Sequence, residues 1–211
     1  MPTIDKLING FRVFKATTFQ KKKDQIEHLI RQGQKPSTLV IACSDLRVAP
    51  SDILSTNPGE LYIVSNAGGL VPKYSSEGVH GILAAIEYAV TVLEVENIMV
   101  LGHAKCNSIK MMMSDDFASN KLSESMKKWL SVASEARDAV KKEMVKNSEE
   151  EQQSSCEHES IVISMRNLIG YPYIAKRMSA NKLNVFGWHF NIEGGEIRAF
   201  NPSNGFFEPI S

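Results

Sequence analysis

The chain has 211 residues, with 24 basic and 24 acidic side chains and a formal net charge of zero, which excludes a global electrostatic attraction to nucleic acid or an anionic membrane. Its length suits one domain able to bury a sizeable core, and no apolar run reaches the roughly 20 residues of a membrane span. The opening Met1-Pro2-Thr3-Ile4-Asp5-Lys6 lacks the basic-then-apolar pattern of a secretory signal, and three cysteines, an odd number, favour metal ligation or reactive thiols over a disulfide framework. A single domain over 1–211, soluble and cytoplasmic, is the expectation.

Residues 1 to about 35 read as a polar helical arm with apolar positions at Phe11, Phe14, Phe19, Ile26, Leu29 and Ile30, and Lys21-Lys22-Lys23 as a solvated face. Gly33 and Pro36 end it before a first strand, Thr38 to Ala42, a short run of aliphatic residues typical of a buried strand. Beyond the strand lies Cys43-Ser44-Asp45-Leu46-Arg47-Val48, then Pro50 and a short helix that Ser51 can cap. Asn57-Pro58-Gly59 is a turn, and Glu60 to Ser65 a second strand running into Asn66-Ala67-Gly68-Gly69. Gly78 to Leu93, apolar on nearly all sides, predicts a buried helix. Val95 to Leu101 predicts a third strand, ending in Gly102-His103-Ala104-Lys105-Cys106.

Residues 107 to about 160 read as helical and increasingly polar. In this region Met111-Met112-Met113 fills core, and the run from Glu149 to Ser155 reads as a solvated loop carrying Cys156 and His158. Ile161 to Ile169 predicts another helix, stopped by Gly170 and Pro172. Asn184 to Ile192 and Glu196 to Phe200, flanking Gly194-Gly195, predict a closing hairpin. Strands alternating with helices predict an α/β fold with a mainly parallel central sheet flanked by helices.

Chemistry at the C-terminal ends of strands is where an open α/β sheet places its site. Cys43 on one such end, with His103 and Cys106 on another, supply the three protein ligands of a catalytic zinc whose fourth position stays open. Two thiolates formally neutralise the ion and acidify its water less than three imidazoles would. A nearby acceptor is therefore useful: Asp45 faces the same way as Cys43 in extended backbone, and Arg47 can fork onto its carboxylate. That pairing keeps Asp45 off the metal; without it, Asp45 is a possible fourth ligand in a closed state. His80 opens a helix and reads as structural, His28 as an exposed helix residue and His189 as a strand residue.

These motifs resemble the β-class carbonic anhydrases. The resemblance rests on Cys43-Ser44-Asp45-Leu46-Arg47-Val48, Pro58-Gly59-Glu60, Asn66-Ala67-Gly68, Glu87-Tyr88-Ala89-Val90, Gly102-His103 with Cys106, and Gly187-Trp188. It implies zinc-dependent, reversible hydration of carbon dioxide to bicarbonate and a proton by metal-bound hydroxide. In that reading Cys43, His103 and Cys106 are ligands and Asp45 and Arg47 the catalytic dyad. Gln34, Tyr62, Ala67, Gly68, Tyr88 and Gly102 then belong to the substrate pocket. The resemblance further implies a homodimer, or a dimer of dimers, with sites at the subunit interface. Gln34 and Tyr62 would serve the neighbouring subunit, and the helical arm would be a dimer arm. Departures from the family pattern are Leu46 for Ser, Asn107 for Gly, Ser65 for Arg and Gly69 for Asn. The loss of that Arg argues against the inhibitory bicarbonate site of one branch. Asn107 is expected to tolerate the left-handed backbone of the Gly it replaces. Hydrolysis of carbonyl sulfide or carbon disulfide on the same fold, or a non-catalytic zinc or bicarbonate sensor, are the alternatives. Gln34 with the tyrosine pair weighs against the first, and Asp45 with Arg47 against the second.

Overall fold

The computed structural model describes residues 3–45, 47, 49–117, 119 and 122–210; Met1, Pro2, Leu46 and Val48, which entered the sequence reading, lie outside them. Six strands form one sheet: β1 (Thr38–Cys43), β2 (Leu61–Asn66), β3 (Asn97–His103), β4 (Asn184–Asn191), β5 (Glu196–Asn201) and β6 (Phe206–Pro209), in the order β2-β1-β3-β4-β5-β6. The first four neighbours pair in parallel, and β5 and β6 add antiparallel. The mainly parallel α/β sheet read from the sequence is thus observed. β1 is buried at every position but its first, as a continuous aliphatic strand must be when both sheet faces are covered.

Alternation along β1 divides the core. Leu39 and Ile41 join Ile86 and Val90 of α4 (Gly81–Thr91), Ile161 and Leu168 of α8 (Glu149–Ile169), and Ile174 of α9 (Pro172–Ser179). Val40 and Ala42 face the other way, with Met99 and Leu101 of β3 and with Trp188 and Phe190. A further cluster packs around two of the cysteines. Cys43 and Cys106 lie among Leu70, Ile109 and Met112 of α5 (Asn107–Met113), Leu130 of α6 (Glu124–Leu130), and Ala136 and Val140 of α7 (Ser134–Glu143). Met112 is fully buried, as core filler should be. The N-terminal arm is two helices, α1 (Ile4–Ala16) and α2 (Thr18–Gln32), and neither buries any residue within the chain.

Four expectations are corrected. α3 (Pro50–Ile53) starts at Pro50 with Ala49 before it, so Ser51 caps nothing; proline presets the first helical φ and needs no N–H partner there. α4 is not buried all round: it buries Leu83, Ile86, Ala89 and Val90 and leaves Tyr88 and Val92 exposed, because it lies with one face on the sheet. Asn107 is not left-handed. It opens α5, and the left-handed residue nearby is Lys105, at φ 58°. The run from Glu149 is helix, not loop: a capping box between Ser148 and Glu151 starts α8, and Cys156 and Glu157 are buried in it. The short edge strand β6 was not anticipated.

His158 shows what α8 hides. Its ring stacks on Phe207 at 4.4 Å and edges against His189 at 4.3 Å, and its Nε2 is buried without a hydrogen-bond partner among the described residues. Burial, then the proximity of His189 and Arg198, pushes its pKa down to about 4. In the unfolded chain an ordinary imidazole titrates near 6.5, so below that pH the unfolded state binds the extra proton. The stabilisation from keeping this ring neutral is complete above about pH 6.5 and is lost as pH falls towards 4. Urea unfolding of the parent and His158→Phe between pH 7 and 4.5 should show the shallower decline in the variant; parallel curves would contradict this.

Candidate metal centre

Parallel register sets the ends of β1 and β3 side by side: Ala42 pairs with Leu101, so Cys43 and His103 emerge from adjacent strand ends. Cys106 follows one turn later, as the residue preceding α5. The potential ligand atoms of Cys43, His103 and Cys106 all lie within 4.8 Å of one another, and all three residues are buried. The two sulfurs are 3.9 Å apart, close to the ~3.8 Å that two thiolates span around a tetrahedral zinc with bonds of about 2.3 Å.

His103 is oriented for ligation. Its Nδ1 is 2.9 Å from the Ala104 carbonyl oxygen, which assigns the ring proton to Nδ1 and leaves Nε2 with a free lone pair. That Nε2 is buried and has no partner among the described residues. An orphaned buried acceptor is costly, and a metal ion would supply the partner it lacks. The thiols point the same way. A hydrogen bond from Cys106 holds the Cys43 pKa well below that of an ordinary thiol, and accepting that role together with burial pushes Cys106 up. Without a cation, the pair thus keeps one proton between its sulfurs. Main-chain groups of Asp45 and Gly68 face the Cys43 sulfur, and those of Ser108 and Ile109, in the first turn of α5, face Cys106. Sulfur and imidazole donors with these spacings fit zinc.

The loop beneath the site is made by close approach. Gly69 has φ 63°, and a Cβ there would sit 3.1 Å from the backbone nitrogen of Cys43, so a side chain at this position would be strained and crowded against the end of β1. Asn66 closes the loop by accepting the Leu70 N–H at 2.8 Å and donating to the Leu70 carbonyl at 3.0 Å. Gly102 packs directly under Ile161 of α8, where a Cβ would lie 2.6 Å from a methyl carbon.

Asp45 and Arg47 are forked together. Arg47 Nε lies 3.0 Å from both carboxylate oxygens, Nη2 donates to Oδ2 at 2.5 Å, and the Arg47 main-chain N–H donates to Oδ1 at 3.1 Å. The guanidinium holds Asp45 well below the usual carboxylate range, at about 2. Nη2 also donates to the Lys105 carbonyl at 3.1 Å, tying the Asp45–Arg47 pair to the loop between His103 and Cys106.

The remaining predicted site residues separate into two groups. Gly68 and Gly102 line a small cavity of about 10 Å³ with His103, Cys106 and Ile109, and the Ala67 carbonyl accepts the Trp129 indole N–H at 2.7 Å. Tyr62 and Tyr88 lie against each other, with ring centroids 6.1 Å apart. Tyr62 is level with Leu39 in the register, four residues before Cys43, a strand distance of about 13 Å. Gln34 lies in the exposed link before β1. The structure therefore does not bring Gln34 or Tyr62 to the chain's own triad. Missed by the sequence reading was Glu157, only 3% exposed, whose carboxylate accepts the Cys106 main-chain N–H at 2.9 Å. Its signal was the spacing of Glu157, Ser160, Ile161, Ser164 and Leu168 along one helix face, hidden by their polarity.

Comparison with known proteins agrees with this geometry. The carbonic anhydrase family model matches residues 38–197. Beta carbonic anhydrase 3 of Arabidopsis thaliana is 35% identical over 196 residues, covering 92% of this chain and 76% of that protein. Among solved structures, the beta-carbonic anhydrase CcaA superposes with a TM-score of 0.92 at 31% identity, covering 98% of this chain and 99% of that one. A tetrameric beta-carbonic anhydrase of the ascomycete Sordaria macrospora shares the fold, with a TM-score of 0.83 at 23% identity, over 94% and 96% of the two chains.

Replacing one ligand should test the triad directly. Protein purified with zinc and dialysed should retain about one ion per chain by atomic absorption, as one set of three protein ligands would hold. Cys106→Ser should retain far less. Equal zinc in the two proteins would place the metal elsewhere.

Proposed function

The chain belongs to the carbonic anhydrase family, in its β class, and is an enzyme of carbon dioxide hydration; on that premise we propose that Cys43, His103 and Cys106 hold zinc, and that Asp45 and Arg47 handle the attacking water. The observation that carries this reading is the meeting of two thiols and an unpartnered imidazole Nε2 within 4.8 Å, beside a carboxylate kept ionised by its own arginine. Zinc in that position supplies Lewis acidity, which makes water a competent nucleophile near neutral pH.

The chain's own residues do the rest. His103 presents Nε2 because Ala104 holds its other nitrogen. Arg47 keeps Asp45 charged and engages both of its carboxylate oxygens, so that Asp45 would leave a zinc held by the three other side chains a position for the reaction. The Asp45 carboxylate accepts an O–H bond from the reacting water and so aims its oxygen at the electrophilic carbon. Carbon dioxide is linear and carries no net charge, so it suits a pocket of small and aromatic groups with an amide donor. Ala67, Gly68 and Gly102 supply the small wall of such a pocket, Tyr62 and Tyr88 the aromatic wall, and Gln34 the amide.

Gln34 and Tyr62 stand at the opposite ends of β1 and β2 from the triad, so they serve the site of a second copy. The arm supports that assembly: Ile4, Leu7, Phe11 and Val13 are all more than half exposed, an apolar surface with no cover in its own chain. We therefore take the working unit to be a homodimer, or a dimer of dimers, with sites at the interface. All three cysteines are free thiols, which suits a reducing, cytoplasmic setting, and no described helix is long and apolar enough to cross a membrane.

Stopped-flow hydration of carbon dioxide by the zinc-loaded protein tests this reading. Asp45→Asn keeps the size of the side chain but removes its charge and half its acceptor capacity. The turnover rate should fall by about 10²–10⁴-fold, the usual weight of a positioned proton-handling group, with zinc content unchanged. A variant as fast as the parent would remove Asp45 from the mechanism, and a parent without turnover would remove the activity itself.

A further inference from the structure

Helix α8 lies against the ligand loop along one stripe: Glu150, Gln153, Glu157 and Ile161, spaced three, four and four residues apart, share a face. The first three touch the loop, and the fourth packs on the end of β3. Glu150 pairs with the Lys105 ammonium, Gln153 Nε2 lies 3.3 Å from the Cys106 carbonyl oxygen, Glu157 accepts the Cys106 N–H, and Ile161 packs over Gly102. The central member is the unexpected one. A carboxylate buried to 3% exposure is expensive unless its lone pairs are used, and these are: Oε1 takes the Cys106 N–H at 2.9 Å and the Gln153 amide at 2.8 Å, while Oε2 lies 3.3 Å from His189 Nε2. A helix packing on a sheet needs no such group, as Ile161 one turn further along demonstrates.

We propose that Glu157 is a positioning residue for the metal centre: with Gln153, it grips both ends of the Cys106 main chain and fixes the third ligand's sulfur opposite Cys43 and His103. The inference rests on the reading of the triad as a zinc site and extends it to the groups that hold the ligands in place. Cys106 is the ligand that needs such support. Cys43 and His103 belong to paired strands, whereas Cys106 follows the left-handed Lys105 and precedes a helix of only seven residues. Its peptide N–H finds an acceptor on α8 and nowhere in the sheet.

The test is zinc retention in the loaded protein, read as the rate of transfer to an excess of a chromophoric chelator, alongside the thiolate-to-metal bands of the cobalt(II)-substituted protein. Glu157→Ala should release zinc about 10–100-fold faster, the usual effect of losing a partner behind a ligand, with altered cobalt bands. Glu157→Gln, whose amide oxygen still accepts the Cys106 N–H, should recover most of the retention. Ser164→Ala, which loses a buried bond to the Val71 N–H elsewhere on α8, should match the parent and so controls for general loosening of the helix. If Glu157→Ala fails to fold, Gln153→Ala carries the same expectation of faster release. Release and cobalt bands like the parent's in the alanine variant, or in Gln153→Ala where that stands in, would overturn the inference, as would a glutamine variant as leaky as alanine. A parent that holds no zinc would bring down the functional reading as well, so the two failures are distinguishable.

Discussion

Two thiolates 3.9 Å apart repel each other, by about 4 kcal/mol at an effective dielectric of about 20, and burial adds the cost of desolvating both. The folded chain nevertheless brings Cys43 and Cys106 together in a packed cluster, with a bare imidazole nitrogen facing them. One shared proton relieves the repulsion in the metal-free chain; a cation would replace that proton, occupy the orphaned lone pair and turn the repulsion into shared attraction. Much of the fold can be understood as what is needed to hold this arrangement in place. Parallel pairing sets the ends of β1 and β3 together, and the loop from Asn66 to Leu70 packs Gly69 against the main chain of Ala42 and Cys43. The helical excursion from 107 to 143 supplies the apolar cover over the sulfurs.

Charge is arranged in two shells around that centre. Asp45 sits on the outer side, its carboxylate saturated by Arg47, which in turn reaches the Lys105 carbonyl. Glu157 sits on the inner side, buried against the Cys106 main chain and His189. The two carboxylates bracket the ligand loop, yet their settings differ. The outer one keeps contact with solvent, as a group that handles water must. The inner one is sealed and fully engaged, as a support should be.

The parts legible in the sequence were those where local pattern and tertiary role agree. β1 and β3 are unbroken aliphatic runs that end abruptly in Cys and His, so both the strands and the chemistry at their ends could be read. Asp45 and Arg47 are two residues apart, close enough to pair locally. The second half of helix α8, from Ile161, was legible as helix; the first half defeated that logic because its buried Cys156, Glu157 and Ser160 lie in a run that looks solvated when read as composition. The partners of Glu157, Ser164 and Asn167, the main chains of Cys106 and Val71, are some 50 and 90 residues away and invisible to any local window. The same limit explains the reading of α4: its apolar residues surround the helix, but the sheet covers one side, and the rest faces outward in a single chain. Asn107 misled for a smaller reason, since the left-handed turn falls two residues earlier, at Lys105.

X-ray absorption at the zinc edge of the loaded protein tests the account most directly. Two sulfur neighbours at about 2.3 Å and two nitrogen or oxygen neighbours near 2.0–2.1 Å are the coordination that Cys43, Cys106, His103 and one exchangeable position require. A shell of only nitrogen and oxygen, or one with four sulfurs, would contradict the assignment of the triad, and with it the mechanism built on that assignment.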